Sequence, residues 1–309
     1  MLLEGEFVAL FGGIESGGTK FVCAAGTGPE DLCARVSIPT TSPDETIRCV
    51  IEFFREATRR EKISAVGIAS FGPVDLHPDS AQFGFITSTP KPGWRNTDLA
   101  GPIRRALGVP VAFDTDVNGA ALAEGIWGAA RGLDNFVYLT VGTGIGGGGI
   151  IEGRMIHGAL HPEMGHMRVT HDWSADPFPG ACPFHGDCWE GLAAGPAIEA
   201  RWREKAENLP SNHPAWVLEA HYLAQGLMNV ICAISPRRVI LAGGVMQRAE
   251  LLPLVHRETL RLLNGYLQVK EITDRMHDYI VLPTLGDNAG VLGAIALAQK
   301  LAEGSSQRP

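Results

Sequence analysis

Apolar positions along the chain come in short runs of strand length, broken by clusters of glycine and alternating further on with helical periods. Residues 7–15 (FVALFGGIE) and 19–25 (TKFVCAA) are two such runs flanking the tight turn Ser16-Gly17-Gly18, a glycine hairpin. A third strand is expected over residues 32–40. The segment Ser42-Pro43-Asp44-Glu45 then supplies an N-cap, a proline at N1 and a returning capping-box carboxylate. The helix that follows runs to about residue 60, with Ile47, Val50, Ile51 and Phe54 on one face. Residues 63–70 (ISAVGIAS) read as a buried strand ending in Phe71-Gly72-Pro73-Val74. A proline- and glycine-rich loop, residues 87–94, precedes a short helix over 99–107. A strand over 109–113 then runs into Asp114-Thr115-Asp116-Val117-Asn118 and an alanine-rich helix over 119–130.

The pattern restarts in the second half. Residues 135–141 (NFVYLTV) form a strand, 142–149 (GTGIGGGG) a glycine turn, and Ile150 opens a second strand that closes at Glu152-Gly153-Arg154. Helices are expected over 196–206, 214–234, 251–263 and 288–301, and strands over 239–242 and 279–282. The closing residues GSSQRP are expected to fray. Two glycine hairpins, each opening a segment in which strands and helices alternate, indicate an internal duplication and mixed sheets flanked by helices.

Composition narrows the function class. The chain has 309 residues, 45% of them hydrophobic, with six cysteines and a formal net charge of −8. That is globular, and the one basic cluster, Arg59-Arg60-Glu61-Lys62, ends a helix, so a nucleic-acid surface is not expected. Glu4 and Glu6 stand where a signal peptide is apolar, and no later stretch reads as a membrane span of about 18 apolar residues. A cytoplasmic protein that binds a small soluble ligand is expected, with a homodimer as its assembly and no membrane partner.

Candidate chemistry is densest over residues 161–190. Cys182, His185 and Cys188 form a C-x2-H-x2-C array, which suits a tetrahedral zinc ion, with His161, His166 and His171 as candidates for the fourth ligand. The alternatives are a Cys182–Cys188 disulfide or an uncommitted loop. Cys23, Cys33, Cys49 and Cys232 stand in apolar segments, as buried reduced thiols do. Two thiolates and two imidazoles would fill all four positions of the ion, so the zinc is expected to be structural, and a zinc hydrolase is disfavoured.

The glycine turns suit anion binding, because convergent backbone N–H groups meet no side chain on approach, and Thr19 and Thr143 add hydroxyls at matched places. Gly13-x4-Gly18-Thr19-Lys20 is not a P-loop, since threonine precedes lysine and a strand follows. Gly142-x-Gly144 runs into strand residues, unlike a dinucleotide fingerprint. A nucleoside triphosphate fits better. Asp116 stands where a strand meets a helix, open to two readings, general base and helix N-cap. Asp114, two residues earlier, should point the other way. Asp98, Glu124 and Asp287 read as caps or solvated carboxylates, and Trp94 as a face for stacking on a ligand or a surface-anchoring aromatic.

IESGGTKF, LTVGTGIGGGG, the Glu163-Met-Gly-His166 segment, the cysteine-histidine loop and LAGGV together resemble the ROK (repressor, ORF, kinase) family of actin-like ATPases over essentially the whole chain. Within it, the bacterial fructokinase branch is the nearest. Glu15 replaces the general family's Asp, Thr115 its Asn, and Cys182-Pro-Phe-His185-Gly-Asp-Cys188 its C-x-C-G-x2-G-C run. The resemblance implies an α/β fold of two actin-like (ribonuclease H-like) lobes around a central cleft: residues 1–115, residues 116–286 with the zinc loop, and a last helix, 287–309, packing back on the first lobe.

The resemblance also implies ATP and Mg²⁺ as cofactors beside structural Zn²⁺, a hexose as partner, and phosphorylation of D-fructose at its 6-hydroxyl, with mannose, glucose or an N-acetylhexosamine as alternatives. Asp116 corresponds to the catalytic base. Glu163, His166 and Glu190 would face the sugar, with Gly72, Pro73 and Trp94 placed beside them, and His166 would complete the metal set. Gly17, Gly18, Thr19, Lys20, Gly142, Thr143 and Gly144 would meet the phosphates, and Ala193, Gly243 and Gly244 the nucleoside side. A sugar-responsive regulator of the same family is the competing class. Those carry a helix-turn-helix ahead of the first hairpin, where this sequence has only about a dozen residues.

Overall fold

The computed structural model describes residues 9–59 and 61–306. The expected start of the first strand at Phe7 and the end of the first helix at Arg60 lie outside the described residues. In chain order the first unit contains β1 (Leu10–Ser16), β2 (Lys20–Gly28), β3 (Asp31–Pro39), α1 (Pro43–Ala57), β4 (Ile63–Ser70), the short pair β5 (Phe85–Ile86) and β6 (Thr97–Asp98), α2 (Ala100–Leu107), β7 (Val111–Thr115) and α3 (Asp116–Ile126). Its main sheet has the order β3-β2-β1-β4-β7, antiparallel through the hairpin and parallel from β1 onward.

The second unit contains β8 (Phe136–Val141), β9 (Ile145–Ile151), β10 (Arg154–Met155), α4 (Trp189–Ala193), α5 (Gly195–Trp202), α6 (Ala215–Ile234), β11 (Val239–Ala242), α7 (Leu251–Leu263), α8 (Lys270–Thr273), α9 (Met276–Tyr279) and β12 (Ile280–Val281). Its sheet order, β10-β9-β8-β11-β12, repeats the first, with the same split into antiparallel and parallel halves. The duplication expected from the two hairpins is therefore a duplication of whole sheets, the pattern of actin-like ATPase lobes.

The first unit continues through α3 to Arg131, regains His157–His161, and ends with the segment from Leu285 that carries α10 (Ala289–Ser306). Helix α3 stays with this unit, instead of opening the second lobe at residue 116, because it packs on α10 and β4. Absent side chains make that packing, and the packing of α10 on β4, possible. A methyl group on Gly67 of β4 would lie 1.8 Å from the Ala294 carbonyl oxygen, and one on Gly293 would lie 2.1 Å from that of Gly119.

The core of the first unit gathers Ile14, Phe21, Val50, Phe54, Ile68 and Ile103 between its sheet and α1 and α2. Ser42 caps α1 by accepting the Glu45 N–H, with Pro43 at the first turn, but the Glu45 carboxylate accepts the Thr41 hydroxyl at 2.7 Å. In the second unit, Val137, Leu139 and Leu241 of the sheet meet Trp189, Leu223 and Leu227. Helix α6 is, among the described residues, the one helix long and apolar enough to cross a membrane by length and composition, although Glu219, His221, Gln225 and Asn229 interrupt its apolar residues. It packs on α7 and α4, and most of its apolar residues are core.

Two further readings change. The glycine run 146–149 is strand, not turn: β9 pairs Gly146 to Gly149 with Thr140 to Val137, and only Gly142–Gly144 turns. Glycine hid the strand because it gives no alternation of side chains, and a methyl on Gly147 would meet Met164 Sδ at 2.6 Å. Of the four cysteines read as buried, Cys23 is; Cys49 is half-buried, and Cys33 and Cys232 are exposed.

Candidate functional site

In the first unit, β7 ends at Thr115, whose hydroxyl accepts the Asn118 N–H at 3.2 Å and so caps α3. Asp116 is thus the first helical residue and not the N-cap. Its carboxylate accepts the Val117 N–H at 2.9 Å. Burial pushes its pKa up to about 6, against the lowering effect of the backbone N–H bonds. Glu15, at the end of β1, is pushed up to about 7, first by burial and then by Asp116, while Lys20 and Arg35 pull the other way. A methyl on Gly290 of α10 would sit 2.3 Å from the Glu15 carboxyl carbon, so only glycine leaves room for that group.

The hairpin turn beside Glu15 is fixed by its own backbone. The Gly17 N–H donates to the Lys20 carbonyl at 3.0 Å, and the Thr40 hydroxyl donates to the Gly17 carbonyl at 2.7 Å. Nothing lies within 4 Å of where a side chain on Gly18 would be, and Thr19 and Lys20 are exposed. A ligand can therefore approach this backbone closely.

Asp114 stands two residues before Asp116, a spacing that within a strand puts both side chains on one face and not on opposite ones, and the chain passes from strand to helix between them. Asp114 is buried, and its Oδ1 accepts the Thr115 N–H and the Asn118 side-chain amide, both at 2.8 Å. His157 Nε2 lies 2.9 Å from the other oxygen. That bond to Asp114 raises the histidine's pKa against partial burial. Gly72–Pro73 is a cis peptide, the Pro73 carbonyl accepts both the N–H and the hydroxyl of Thr87 at 2.8 and 3.0 Å, and His161 Nε2 accepts the Val74 N–H at 3.1 Å. A pocket of about 470 Å³ opens among Val74, His77, Thr87, His157 and His161. Sequence reasoning missed His157 altogether, and its only signal was a histidine just before a glycine.

Trp94 offers no face to a sugar. It is fully buried, its ring lies 5.3 Å from that of Phe21 and 5.8 Å from that of Phe71, and its indole N–H donates to the Thr41 carbonyl at 2.9 Å. It anchors the loop from within. Glu124 is buried too, accepting the N–H groups of Ala129 and Leu285 at 2.6 and 2.9 Å. Asp98 accepts the Gly101 N–H at the start of α2, and Asp287 is exposed, as expected of a cap and a solvated carboxylate.

In the second unit the glycine turn is built into a wider cradle. The Gly142 N–H donates to the Gly144 carbonyl at 2.9 Å, and the Gly142 carbonyl accepts the Gly195 N–H at the start of α5 at 2.8 Å. Gly243 has φ +96°, and a methyl there would lie 2.3 Å from the Val141 carbonyl oxygen, so this position needs glycine twice over. A methyl on Gly142 would lie 3.9 Å from the Gly244 nitrogen, which brings Gly142, Gly195 and Gly243-Gly244 together around open backbone. Thr143 is exposed, and Ala193 is buried at the end of α4. Gly195 was missed in the sequence, although the Gly-Pro pair is a fair sign of a helix start.

Four side chains converge in the same unit. The ligand atoms of His166, Cys182, His185 and Cys188 all lie within 4.8 Å of one another. Cys182 Sγ is 3.7 Å from Nδ1 of both His166 and His185, and Cys188 Sγ is 3.6 Å from His166 Nδ1. A tetrahedral ion with bonds of about 2.0–2.3 Å needs S···N edges of about 3.5 Å, so the set fits a zinc ion. Both cysteines are unbridged, which removes the disulfide alternative. Of the other candidate ligands, His161 is on Val74, and His171 bonds Asp187 Oδ2 at 3.3 Å and the Asp176 carbonyl at 2.9 Å.

The loop around these ligands is braced. Cys182 and Gly186 exchange backbone bonds of 3.2 and 2.9 Å, and the Ala181 N–H donates to the Gly191 carbonyl at 2.8 Å. Arg168 pairs with Asp187. Arg201 reaches Asp176 at 3.2 Å and the Leu192 carbonyl at 2.9 Å, which ties the loop to α4. Glu190, on α4, accepts the Ile145 N–H at 2.9 Å, beside Gly144 of the glycine turn. Glu163 is exposed and precedes the single turn Met164–His166, its carbonyl accepting the His166 N–H at 3.0 Å.

The model of a family described as the ROK family matches residues 11–301. The fructokinase of Zymomonas mobilis is 45% identical over 294 residues, covering 94% of this chain and 96% of its own. That of Lactococcus lactis is 42% identical over 292 residues, covering 94% and 97%. Among solved structures, the ROK hexokinase of Thermus thermophilus superposes with a TM-score of 0.78 at 27% identity, over 96% of this chain and 99% of its own.

Proposed function

The chain belongs to the ROK family, and on that premise we propose that it is a kinase that transfers the γ-phosphoryl group of ATP to the 6-hydroxyl of D-fructose. The observation that carries the choice of sugar is full-length similarity to fructokinases at 42–45% identity, together with Glu15, Thr115 and the C-x2-H-x2-C loop at positions where the family varies. Asp116 is the proposed base. The fructose O6 forms its bond to the γ-phosphorus as the bond from phosphorus to the β,γ-bridging oxygen breaks, and the O6 proton passes to the Asp116 carboxylate. A base with pKa raised to about 6 is still ionised at neutral pH and holds a proton better than an ordinary aspartate.

The remaining roles are assigned from the family resemblance. Gly17, Gly18, Thr19 and Lys20 of the first hairpin and Gly142, Thr143 and Gly144 of the second are assigned to the phosphates, Gly243, Gly244 and Ala193 to the nucleoside. Mg²⁺ enters with the triphosphate and offsets its charge. Gly72 and Pro73, Glu163, His166 and Glu190 are assigned to the sugar. Glu190 already spends one oxygen on the Ile145 N–H, so it would orient the sugar through the other. His166, Cys182, His185 and Cys188 would hold zinc, which fixes the loop carrying Glu163 and Glu190 and so lowers the cost of ordering the sugar's partners. A homodimer in the cytoplasm is the proposed working form, checked by light scattering of the purified protein.

A coupled ADP-release assay over fructose, mannose, glucose and N-acetylhexosamines tests the reading. Fructose should give the highest kcat/KM, and turnover of none of them would overturn the assignment. A regulator of the same family would instead bind a sugar with no release of ADP.

A further inference from the structure

Residues 157–161 belong to the first unit although the chain on either side belongs to the second. Two histidines fasten this five-residue segment. His161 holds the Val74 N–H next to the cis Gly72–Pro73 peptide. His157 holds Asp114, with Nε2 at 2.9 Å from Oδ2, and lies 3.3 Å from the Asn118 amide nitrogen.

Those contacts lead directly to the start of α3. Asp114 Oδ1 is held by the Thr115 N–H and by the Asn118 side chain. The Asn118 backbone N–H is held by the Thr115 hydroxyl, and the Val117 N–H lies between them on Asp116. Residues 114 to 118 therefore form one closed set of bonds, in which Asp116 is the only carboxylate not spent on a side chain of the set. Asp114 is 2% exposed, and a buried carboxylate oxygen stripped of its partner forces its surroundings to rearrange. His157 supplies that partner for Oδ2, and it comes from outside the 114–118 turn.

We propose that His157 is a positioning residue for phosphoryl transfer, which fixes the first turn of α3 through Asp114 and Asn118 and so aims Asp116. This rests on the proposed kinase reading. His157 touches neither sugar nor nucleotide in this role. Its removal should lower kcat and leave the sugar and ATP KM values close to those of the wild type.

The test compares wild type, His157→Met, His157→Gln and the double variant Asp114→Asn/His157→Met in the full-length enzyme. Each is assayed for kcat and both KM values, for the pH profile of kcat/KM and for thermal melting. Methionine removes the donor at similar length, and kcat should fall roughly tenfold to a hundredfold, the cost expected of a base misplaced by about an ångström. Glutamine carries a donor where Nε2 was and should recover most of that loss.

A loosened turn would also admit water to Asp116, which is close enough to Glu15 to raise that group's pKa, and shift the acid limb of the profile to lower pH. A loss through partial unfolding leaves that limb where it was. Should His157→Met not fold, the double variant, which removes the buried charge as well, carries the test through the same fall in kcat. Unchanged kcat in the folded variants, a sugar KM that rises at constant kcat, or a loss that tracks the unfolded fraction with an unmoved acid limb would each overturn the proposal. A wild-type enzyme that turns over no hexose refutes the kinase reading and this role with it, and is seen before any variant is made.

Discussion

Asp116 carries two opposed demands. Burial raises its pKa to about 6, so the folded chain binds its proton more tightly than the unfolded chain does. The ionised carboxylate therefore costs stability as pH climbs from near 4 through 6, in the same range where ionisation switches the base on. The kcat/KM for fructose should accordingly rise with pH on a limb centred near 6, as measured by the coupled assay in constant ionic strength. Asp116→Asn should lower kcat by about 10²–10⁴-fold, yet raise the melting temperature at neutral pH, since the buried charge is gone. A variant that loses activity and stability together would contradict this account. Trp94 shows the limit of residue types as clues: an aromatic after a Pro-Gly turn suits a sugar face, but only the fold reveals the Thr41 carbonyl waiting for its indole N–H. Trp94→Ala should cost about 3–5 kcal/mol in chemical denaturation.

At the scale of elements, the hairpins, α1 and the cysteine-histidine loop were legible because each has a local signature, in glycine pairs, a Ser-Pro cap or ligand spacing. What could not be read depended on distant partners. The glycine strand β9 is defined by Met164 and Leu139 against it, and the His157–Asp114 pair joins positions 43 residues apart, 157 less 114. The choice of His166 over His161 and His171 came from family likeness, and the geometry supplies its physical reason, since the other two imidazoles are engaged elsewhere. Cys182→Ser and Cys188→Ser should each release bound zinc, seen by elemental analysis, and raise the fructose KM more than they lower kcat. Chelation of the wild type should do the same, and full activity in either variant would remove the metal from the account. Gly67→Ala, which sets a methyl against the Ala294 carbonyl, should destabilise the first unit by at least about 1–3 kcal/mol, read as a lowered denaturation midpoint.

For the whole molecule, the repeated glycine hairpin was the one long-range feature visible in the sequence, and it stood for a repeated five-stranded sheet. The expected boundary at residue 116 did not reflect packing, because α3 follows α10 and the contacts of small residues between them, which no local pattern announces. Similarity over nearly the full length to fructokinases then turns a common fold into a specific reading of the acceptor. The most direct check of that reading is the chemical identity of the product. Fructose, ATP and Mg²⁺ are incubated with the wild type and with Asp116→Asn, and the sugar phosphate is identified by proton–phosphorus correlation NMR. The account predicts phosphorus coupled to the C6 protons of fructose with the wild type and almost none with the variant; no sugar phosphate from the wild type, phosphate on another carbon, or an equal yield from Asp116→Asn would contradict it.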